Sequence, residues 1–129
     1  MKRVKVLIAD NHCDIRKVVR EFLDRLPNVE VVGEAVDGVD VVNKVEELHP
    51  DVVLMELDLP KRSGFEATRI IKQHWPSTKV ILEPMADDIF TREKIQSVKA
   101  DGQIVKSSLK QGLEEMFNDD YGSGGRVRK

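Results

Sequence analysis

Residues 4–11 read VKVLIADN, a nearly continuous apolar run that ends in a carboxyl and an amide side chain. A short apolar run of this kind favours a strand buried on both faces, as in a parallel sheet. Three later runs, at 52–56, 80–84 and 104–106, end in the same abrupt manner. The residues that close these four runs are Asp10, Asn11, Glu56, Pro84 and Lys106.

Segments with apolar residues at helical spacing separate the runs. The predicted strands are 4–9, 29–35, 52–55, 80–82 and 103–105, and the predicted helices are 15–26, 41–48, 63–71, 89–98 and 108–117, the fourth with a thin apolar stripe. Ser63 with Glu66, and Ser108 with Gln111, have the spacing of helix capping boxes. Five strands alternating with five helices predict an α/β fold, a doubly wound parallel sheet with helices on both faces.

The strand ends are expected to form one site. In open parallel sheets, ligand groups gather beyond the carboxyl ends of the strands, where the strand order reverses. This rule predicts that Asp10, Asn11, Glu56, Pro84 and Lys106 lie together. The combination of carboxylates with a lysine suggests a regulated phosphoryl site.

Size and composition restrict the other classes. The 129 residues predict one domain over residues 1–118, followed by a flexible tail, linker or artificial terminus over 119–129. The formal charge of −2 and the pI of about 5.9 give no global reason to expect nucleic-acid binding. Cys13 is the single cysteine, which excludes an intramolecular disulfide and a zinc–cysteine cluster. Without a membrane-length apolar run or a signal-peptide pattern, a cytoplasmic domain with no membrane contact is expected.

Four stretches together resemble the receiver domain of bacterial two-component response regulators. They are VLIADNH at 6–12, DVVLMELDLP at 51–60, GFEAT at 64–68 and ADGQIVKS at 100–107. The resemblance covers residues 3 to about 117 and is closest to the NarL/LuxR type, whose receivers usually precede a DNA-binding domain. It implies a flavodoxin-like fold with strand order 2-1-3-4-5.

The resemblance also implies a chemistry for the strand ends. In the family, two acids after the first strand and an aspartate after the third hold Mg²⁺, and that aspartate takes a phosphoryl group from a sensor histidine kinase. A hydroxyl residue after the fourth strand and a lysine after the fifth bind the phosphoryl oxygens. An aromatic residue on the fifth strand reorients, which changes the partners of the helix 4–strand 5–helix 5 face.

This chain follows the family pattern only in part. Asp10 matches the first acid, Lys106 matches the lysine, and Asp58 stands where a backbone carbonyl contacts the metal. Asn11 replaces the second acid, Glu56 the phospho-acceptor, Pro84 the hydroxyl residue and Gln103 the aromatic residue. The implied metal ligands are Asp10, Asn11, Glu56 and the Asp58 carbonyl, with Mg²⁺ binding weak or lost.

These departures weaken phosphoryl transfer. Glu56 carries its carboxylate one methylene further out, and a misplacement of about 1 Å can lower a rate by about a hundredfold. Pro84 has neither a hydroxyl nor a backbone N–H to donate to a phosphoryl oxygen. Glu56 and Lys106 can instead form a charge-assisted hydrogen bond across the pocket. His12, which has no other histidine or cysteine ligand beside it but Cys13, is interpreted as a polar loop residue.

The leading hypothesis is a degenerate receiver without enzymatic activity, in a constitutive state. It would signal through protein contacts with a sensor kinase, its own output domain or a second copy, and regulate transcription through that output domain. Specific nucleic-acid binding by this chain alone is not expected. The alternatives are a working Mg²⁺-dependent receiver phosphorylated at Glu56, and an engineered phosphomimic of one.

Overall fold

The structure is a computed structural model that describes residues 3–117. The strands are β1 (Val4–Ala9), β2 (Val29–Ala35), β3 (Val52–Glu56), β4 (Lys79–Glu83) and β5 (Gly102–Gln103). The helices are α1 (Cys13–Asp24), α2 (Gly38–Leu48), α3 (Gly64–His74), α4 (Ile89–Ser97) and α5 (Leu109–Met116), with one 3₁₀ turn (Lys106–Ser108) before α5. The predicted tail at 119–129 lies outside the described residues.

The five strands form one parallel sheet in the order β2-β1-β3-β4-β5. This order confirms the predicted doubly wound, flavodoxin-like fold. The chain moves outward from β1 to β2 on one side, and through β3, β4 and β5 on the other. The order therefore reverses between β1 and β3, where a parallel sheet opens a crevice for ligands.

Alternate strand residues fill two separate cores, one on each face of the sheet. On one face, Leu7, Val53 and Leu82 pack with the buried residues of α2, α3 and α4. On the other, Val6, Ile8, Leu54, Ile81 and Ile104 pack with those of α1 and α5. The side-chain period of two in a strand explains why the apolar runs are continuous, because both faces are covered.

Of the two predicted capping boxes, one is present in the structure and the other is not. Ser63 Oγ accepts a hydrogen bond from the Glu66 backbone N–H at 3.2 Å, so the cap of α3 is confirmed. Ser108 lies just before α5, but its side chain makes no capping hydrogen bond, and that prediction is wrong. Its backbone (φ −129°, ψ 41°) is not in the extended conformation that a capping side chain requires.

The fifth strand is shorter than the predicted 103–105. Regular pairing is limited to Ile81 with Gly102 and Leu82 with Gln103. The backbone nevertheless stays beside β4, because the Lys106 N–H donates to the Pro84 carbonyl at 2.8 Å. The end of β5 is thus held close to the end of β4.

No helix within residues 3–117 has the length and apolar character needed to cross a bilayer.

The start of α2 is locked against the loop that follows β3. The Gly38 N–H donates to the Pro60 carbonyl at 3.0 Å, and a Cβ at Gly38 would lie 1.9 Å from the Arg62 carbonyl oxygen. Gly38→Ala is therefore expected to lower the free energy of unfolding by about 2–3 kcal/mol through overpacking. Urea unfolding followed by circular dichroism measures the effect.

The matched control is Gly102→Ala. A Cβ at Gly102 would meet only the tip of Ile81, at 3.3 Å, and that tip can shift. Its effect should stay below about 1 kcal/mol. Equal unfolding midpoints for the two variants would contradict the close packing of Gly38 against the loop that follows β3.

Candidate functional site

Side-chain alternation brings four charged groups to one face at the strand ends. Ile8, Leu54, Ile81 and Ile104 all point to the core beneath α1 and α5. Two residues further along the chain from each of them stand Asp10, Glu56, Glu83 and Lys106. The same period of two therefore directs these four side chains to the same side of the sheet.

Lys106 bridges two buried carboxylates. Its Nζ donates to Glu56 Oε1 at 2.8 Å and forms an ion pair with Asp10 Oδ2 at 3.0 Å. The contact to Asp10 Oδ2 is not aligned as a hydrogen bond, and that oxygen is buried. Burial by itself lowers the pKa of Lys106, but the close contacts with Glu56 and Asp10 and their negative charges outweigh it and raise the pKa. The ammonium therefore stays charged.

The loop after β1 closes the pocket from the outside. The Asn11 N–H donates to Glu56 Oε2 at 3.0 Å, and the His12 N–H donates to Asp10 Oδ1 at 2.8 Å. The His12 ring lies against the same carboxylates, with Nδ1 at 2.9 Å from Asp10 Oδ1 and 3.3 Å from Glu56 Oε1. His12 is an exposed polar loop residue, as interpreted from the sequence, but its ring also contacts both pocket carboxylates.

Two arginines on α1 fix that loop. Arg16 donates from Nη1 to the Asp10 carbonyl at 2.8 Å and from Nε to Glu34 Oε1 at 2.8 Å. Arg20 donates to the other oxygen of Glu34 at 2.6 Å. Burial raises the pKa of the Glu34 carboxyl, but the two arginines more than offset this and lower it. Asp10 is thus held in place by α1 and by the end of β2.

Glu83 is the residue that sequence reasoning missed. It pairs in register with Glu56 on the neighbouring strand and is only 4% exposed. No described residue donates a hydrogen bond to its carboxyl. Burial, and then the charge of Asp10, raise the pKa of Glu83 to about 8, with Glu56 adding to the rise and Lys106 opposing it. An acid as the last residue of a buried strand, two positions after Ile81, is the sequence signal that identifies it.

The remaining predicted residues lie around this pocket. Pro84 is buried and accepts the Lys106 N–H through its carbonyl. Asn11 and Asp58 are exposed, and Asn11 enters the pocket through its backbone N–H. Gln103 Nε2 lies 3.4 Å from Asp87 Oδ1, outside the carboxylate cluster. The structure therefore brings Asp10, Glu56, Pro84 and Lys106 together, places Asp58 on the same cleft, and leaves the Asn11 and Gln103 side chains outside.

A cleft of about 370 Å³ leads from the pocket to the start of α4. Glu56, Glu83 and Lys106 line it together with Phe65 and Phe90. Phe90 is 82% exposed, and the other large exposed apolar side chains beside it are Met85 and Ile89. The pocket is therefore acidic within and apolar at its mouth.

Asp10, His12 and Glu56 can hold a metal ion, because one ligand atom from each lies within 4.8 Å of the others. Mg²⁺, which the resemblance implies, prefers six oxygen ligands in near-octahedral geometry. This cluster offers two carboxylates and one imidazole nitrogen, with an ammonium already in contact with both carboxylates. The two carboxylates fit Mg²⁺, which proteins usually hold through one or two carboxylates and waters, but Lys106 competes for both of them.

Comparisons with known proteins agree with the fold. A family model described as "Response regulator receiver domain" matches residues 6–118. The transcriptional regulatory protein DegU of Brevibacillus brevis is 35% identical over 104 residues, which cover 81% of this chain and 44% of DegU. A protein-glutamate methylesterase/protein-glutamine glutaminase of Pyrococcus horikoshii is 30% identical over 87 residues, which cover 67% of this chain and 24% of that protein.

A solved structure gives the same result. The crystal structure of a LuxR-family two-component response regulator from Aurantimonas sp. SI85-9A1 matches with a TM-score of 0.84 and 29% sequence identity, and covers 91% of this chain and 84% of that chain. The chain spans less than half the length of DegU and of the methylesterase. Receiver domains of transcriptional response regulators are generally not enzymes, although methylesterases form a related branch. By sequence and by fold, the chain belongs to the response regulator receiver domains of two-component systems, of the NarL/LuxR type.

Proposed function

We propose that this receiver is degenerate and signals through protein–protein contacts without aspartyl phosphorylation. The observation that carries the proposal is the Lys106 ammonium, which Glu56 and Asp10 hold at 2.8 and 3.0 Å. In this arrangement the lysine already has an internal anionic partner. The pocket rests in one state, with Glu56 and Lys106 paired.

Charge opposes an incoming phosphoryl group. A phosphoryl group brings a charge of about −1.5 to −2. Glu83 adds a third buried carboxyl beside Glu56 and Asp10, against the single ammonium of Lys106. Like charges in a buried site repel strongly, so the carboxylates of Asp10 and Glu56 disfavour a phosphoryl group, and Glu83 adds to this repulsion once the pH exceeds its raised pKa of about 8.

The carboxylate at the acceptor position is also restrained. Glu56 Oε1 accepts from Lys106, and Glu56 Oε2 accepts from the Asn11 N–H at 3.0 Å. Both oxygens are therefore engaged before any phosphoryl donor arrives. Pro84, which the sequence analysis assigned to the hydroxyl position, has no hydroxyl and no N–H to donate to a phosphoryl oxygen, and the side chain that reaches the pocket from the end of β4 is that of Glu83.

Partner contacts fit the exposed face around α4. Met85, Ile89 and Phe90 form an apolar patch there, and Gln103 contacts the adjoining loop through Asp87. A partner protein can cover such a patch. Candidate partners are a sensor kinase, the chain's own output domain, and a second copy through the α4–β5–α5 face. Regulation of transcription through the output domain is supported by the similarity to DegU, a transcriptional regulatory protein.

The competing function is a working Mg²⁺-dependent receiver that takes a phosphoryl group from a sensor histidine kinase on Glu56. One observation favours it: Lys106 lies 2.8 Å from the Glu56 carboxylate, so an acceptor and a cation that could bind its phosphoryl oxygens are already adjacent. An engineered phosphomimic of such a receiver would have the same contact.

Backbone amide NMR separates these functions. The chain is titrated with Mg²⁺ and then with beryllofluoride, and mass spectrometry follows incubation with acetyl phosphate. The amides of Asn11, Glu56 and Lys106 are expected not to respond to beryllofluoride, because Lys106 is already paired and the carboxylates of Asp10 and Glu56 repel the anion. No phosphorylated species is expected.

Glu56→Asp is the matched variant, since it changes only the length of the carboxylate. A response in this variant alone would show that the glutamate at residue 56 is what prevents phosphorylation. A response of the unchanged chain that spreads to α4, or a phosphorylated Glu56, would refute the proposal.

A further inference from the structure

We propose that the mouth of the cleft beside α4 binds a second copy of this chain, with Phe90 of each copy entering the cleft of the other. The contact face comprises the β4–α4 loop and the first turn of α4, residues 85–92. It differs from the α4–β5–α5 face of the family resemblance, because β5 and α5 take no part in it. The inference goes beyond the proposed function and does not depend on whether Glu56 can be phosphorylated.

The exposed side chains of this face are the first observation. Phe90 is 82% exposed, Met85 70% and Ile89 59%, which makes them the most exposed large apolar side chains among the described residues. Met85 and Phe90 line the same cleft, and Ile89 precedes Phe90 in the chain. Single exposed apolar side chains are common, but a group of several together marks an interaction site.

The face carries both halves of a reciprocal contact. The cleft of about 370 Å³ has Phe65 and Met85 on its lining, and the exposed Phe90 ring stands at its edge. In a two-fold dimer the same surface meets itself, so a residue that projects from one copy must find its receiving site on the other. A projecting aromatic ring beside an apolar cleft mouth meets this requirement without any other partner.

The start of α4 braces the turn that carries Phe90. Asp88 accepts hydrogen bonds from the Thr91 N–H at 2.9 Å and from the Thr91 hydroxyl at 3.0 Å. Arg92 Nη2 donates to Asp87 Oδ1 at 2.6 Å. An anchor whose backbone is already ordered loses less conformational entropy when it binds. Phe90 is therefore suited to enter a cleft on another molecule.

Charge does not oppose the approach of a second copy. Asp87 is paired with Arg92, and Asp88 caps the N-terminus of α4. The other charged side chains at the cleft mouth are Asp58 and Lys94, which have opposite signs. Lys94 of each copy can therefore face Asp58 of the other, whereas a strongly acidic or strongly basic partner would not be matched.

Sedimentation velocity over a wide range of concentration tests the inference. A reducing agent is present throughout, because Cys13 is an exposed free thiol. The unchanged chain is expected to pass from monomer to dimer in the micromolar range, since interfaces of this small size are weak. Phe90→Ser should weaken dimerisation by about tenfold or more, because a central anchor is lost. Its urea midpoint should stay unchanged, because the ring is exposed in the monomer.

A mixture of two variants tests the reciprocal geometry. Met85→Glu keeps Phe90 but places a charge at the cleft mouth, so it should also weaken dimerisation. In the mixture, Phe90 of the Met85→Glu chain can enter the intact cleft of the Phe90→Ser chain, which restores one of the two contacts. The mixture should therefore dimerise more strongly than either variant alone, and less strongly than the unchanged chain.

Val18→Ser is the matched control, since Val18 is 57% exposed on α1, which packs on the opposite face of the sheet from α4. It should leave dimerisation unchanged. An unchanged chain that stays monomeric, equal dimerisation of Phe90→Ser, a mixture no better than its components, or loss of the dimer in Val18→Ser would each overturn the inference. The beryllofluoride titration reports on the signalling proposal separately.

Discussion

Lys106→Met is expected to lower the free energy of unfolding by about 3–5 kcal/mol, since removal of one partner of a buried ion pair leaves the other charge uncompensated. Lys106 is 12% exposed and is the ammonium that lies between Asp10 and Glu56. Methionine has a similar length and fills the space, so the loss reports on charge rather than on a cavity. Urea unfolding at neutral pH, followed by circular dichroism, measures it.

A second substitution shows whether unpaired charge is the cause. Glu56→Gln in the Lys106→Met chain removes one of the carboxylates left without a partner. The double variant should be more stable than Lys106→Met alone, so the two effects should not add. Lys110→Met, at an exposed position on α5, is the control and should change stability by no more than about 0.5 kcal/mol. A Lys106→Met loss no larger than that of the control would refute the buried ion pair.

Glu83→Gln is expected to stabilise the domain at alkaline pH, by roughly 3 kcal/mol at pH 9 after allowance for relaxation of the pocket. Burial first, and then the charge of Asp10, raise the pKa of Glu83 from 4.5 to about 8. The glutamine keeps the shape of the protonated acid and cannot ionise. The comparison is made in a metal chelator, so that no bound ion offsets the charge.

The pH dependence follows from the same shift. Between pH 4.5 and about 8, the folded chain holds a proton on Glu83 that the unfolded chain has released. The contribution of Glu83 to the free energy of unfolding therefore falls as the pH rises through this window, and stays low above it. Glu83→Gln removes that fall.

Glu93→Gln, at an exposed position on α4, serves as the control and should leave the pH profile of stability unchanged. The decisive quantity is the difference between the two variants in the slope of unfolding free energy against pH. Equal slopes in the unchanged chain and in Glu83→Gln would show that Glu83 is already ionised in the folded state at low pH.

The sequence alone predicts the sheet and three of its four charged strand ends. Asp10, Glu56 and Lys106 each follow a continuous apolar run, and a parallel sheet must place the ends of such runs at one edge. The thin apolar stripe at 89–98 predicts α4, and the helix is present in the structure. Asp88 caps it, and Ile95 is its buried residue. Strong local patterns and topology rules are sufficient at this level.

The features that the sequence analysis missed depend on backbone conformation and on where a side chain points, and not on residue type alone. Glu83 was taken as part of an apolar strand and Pro84 as the pocket position, although alternation from Ile81 directs the Glu83 side chain to the site. The position of His12 depends on the turn at Asp10, whose carboxylate accepts the His12 N–H. The missing cap at Ser108 depends on a backbone angle that the residue types do not determine.

Because the strand register places Glu56 beside Glu83, the effect of a substitution at one position depends on the residue at the other. Residues in contact have effects on stability that do not add, so the order of substitutions matters. Glu56→Asp alone would give a shorter carboxylate that still faces a neighbouring acid. The gain from this step is expected only after position 83 has become neutral. If phosphorylation has been lost as proposed, an acid at position 83 makes that loss difficult to reverse by single substitutions, in a natural lineage as in directed evolution.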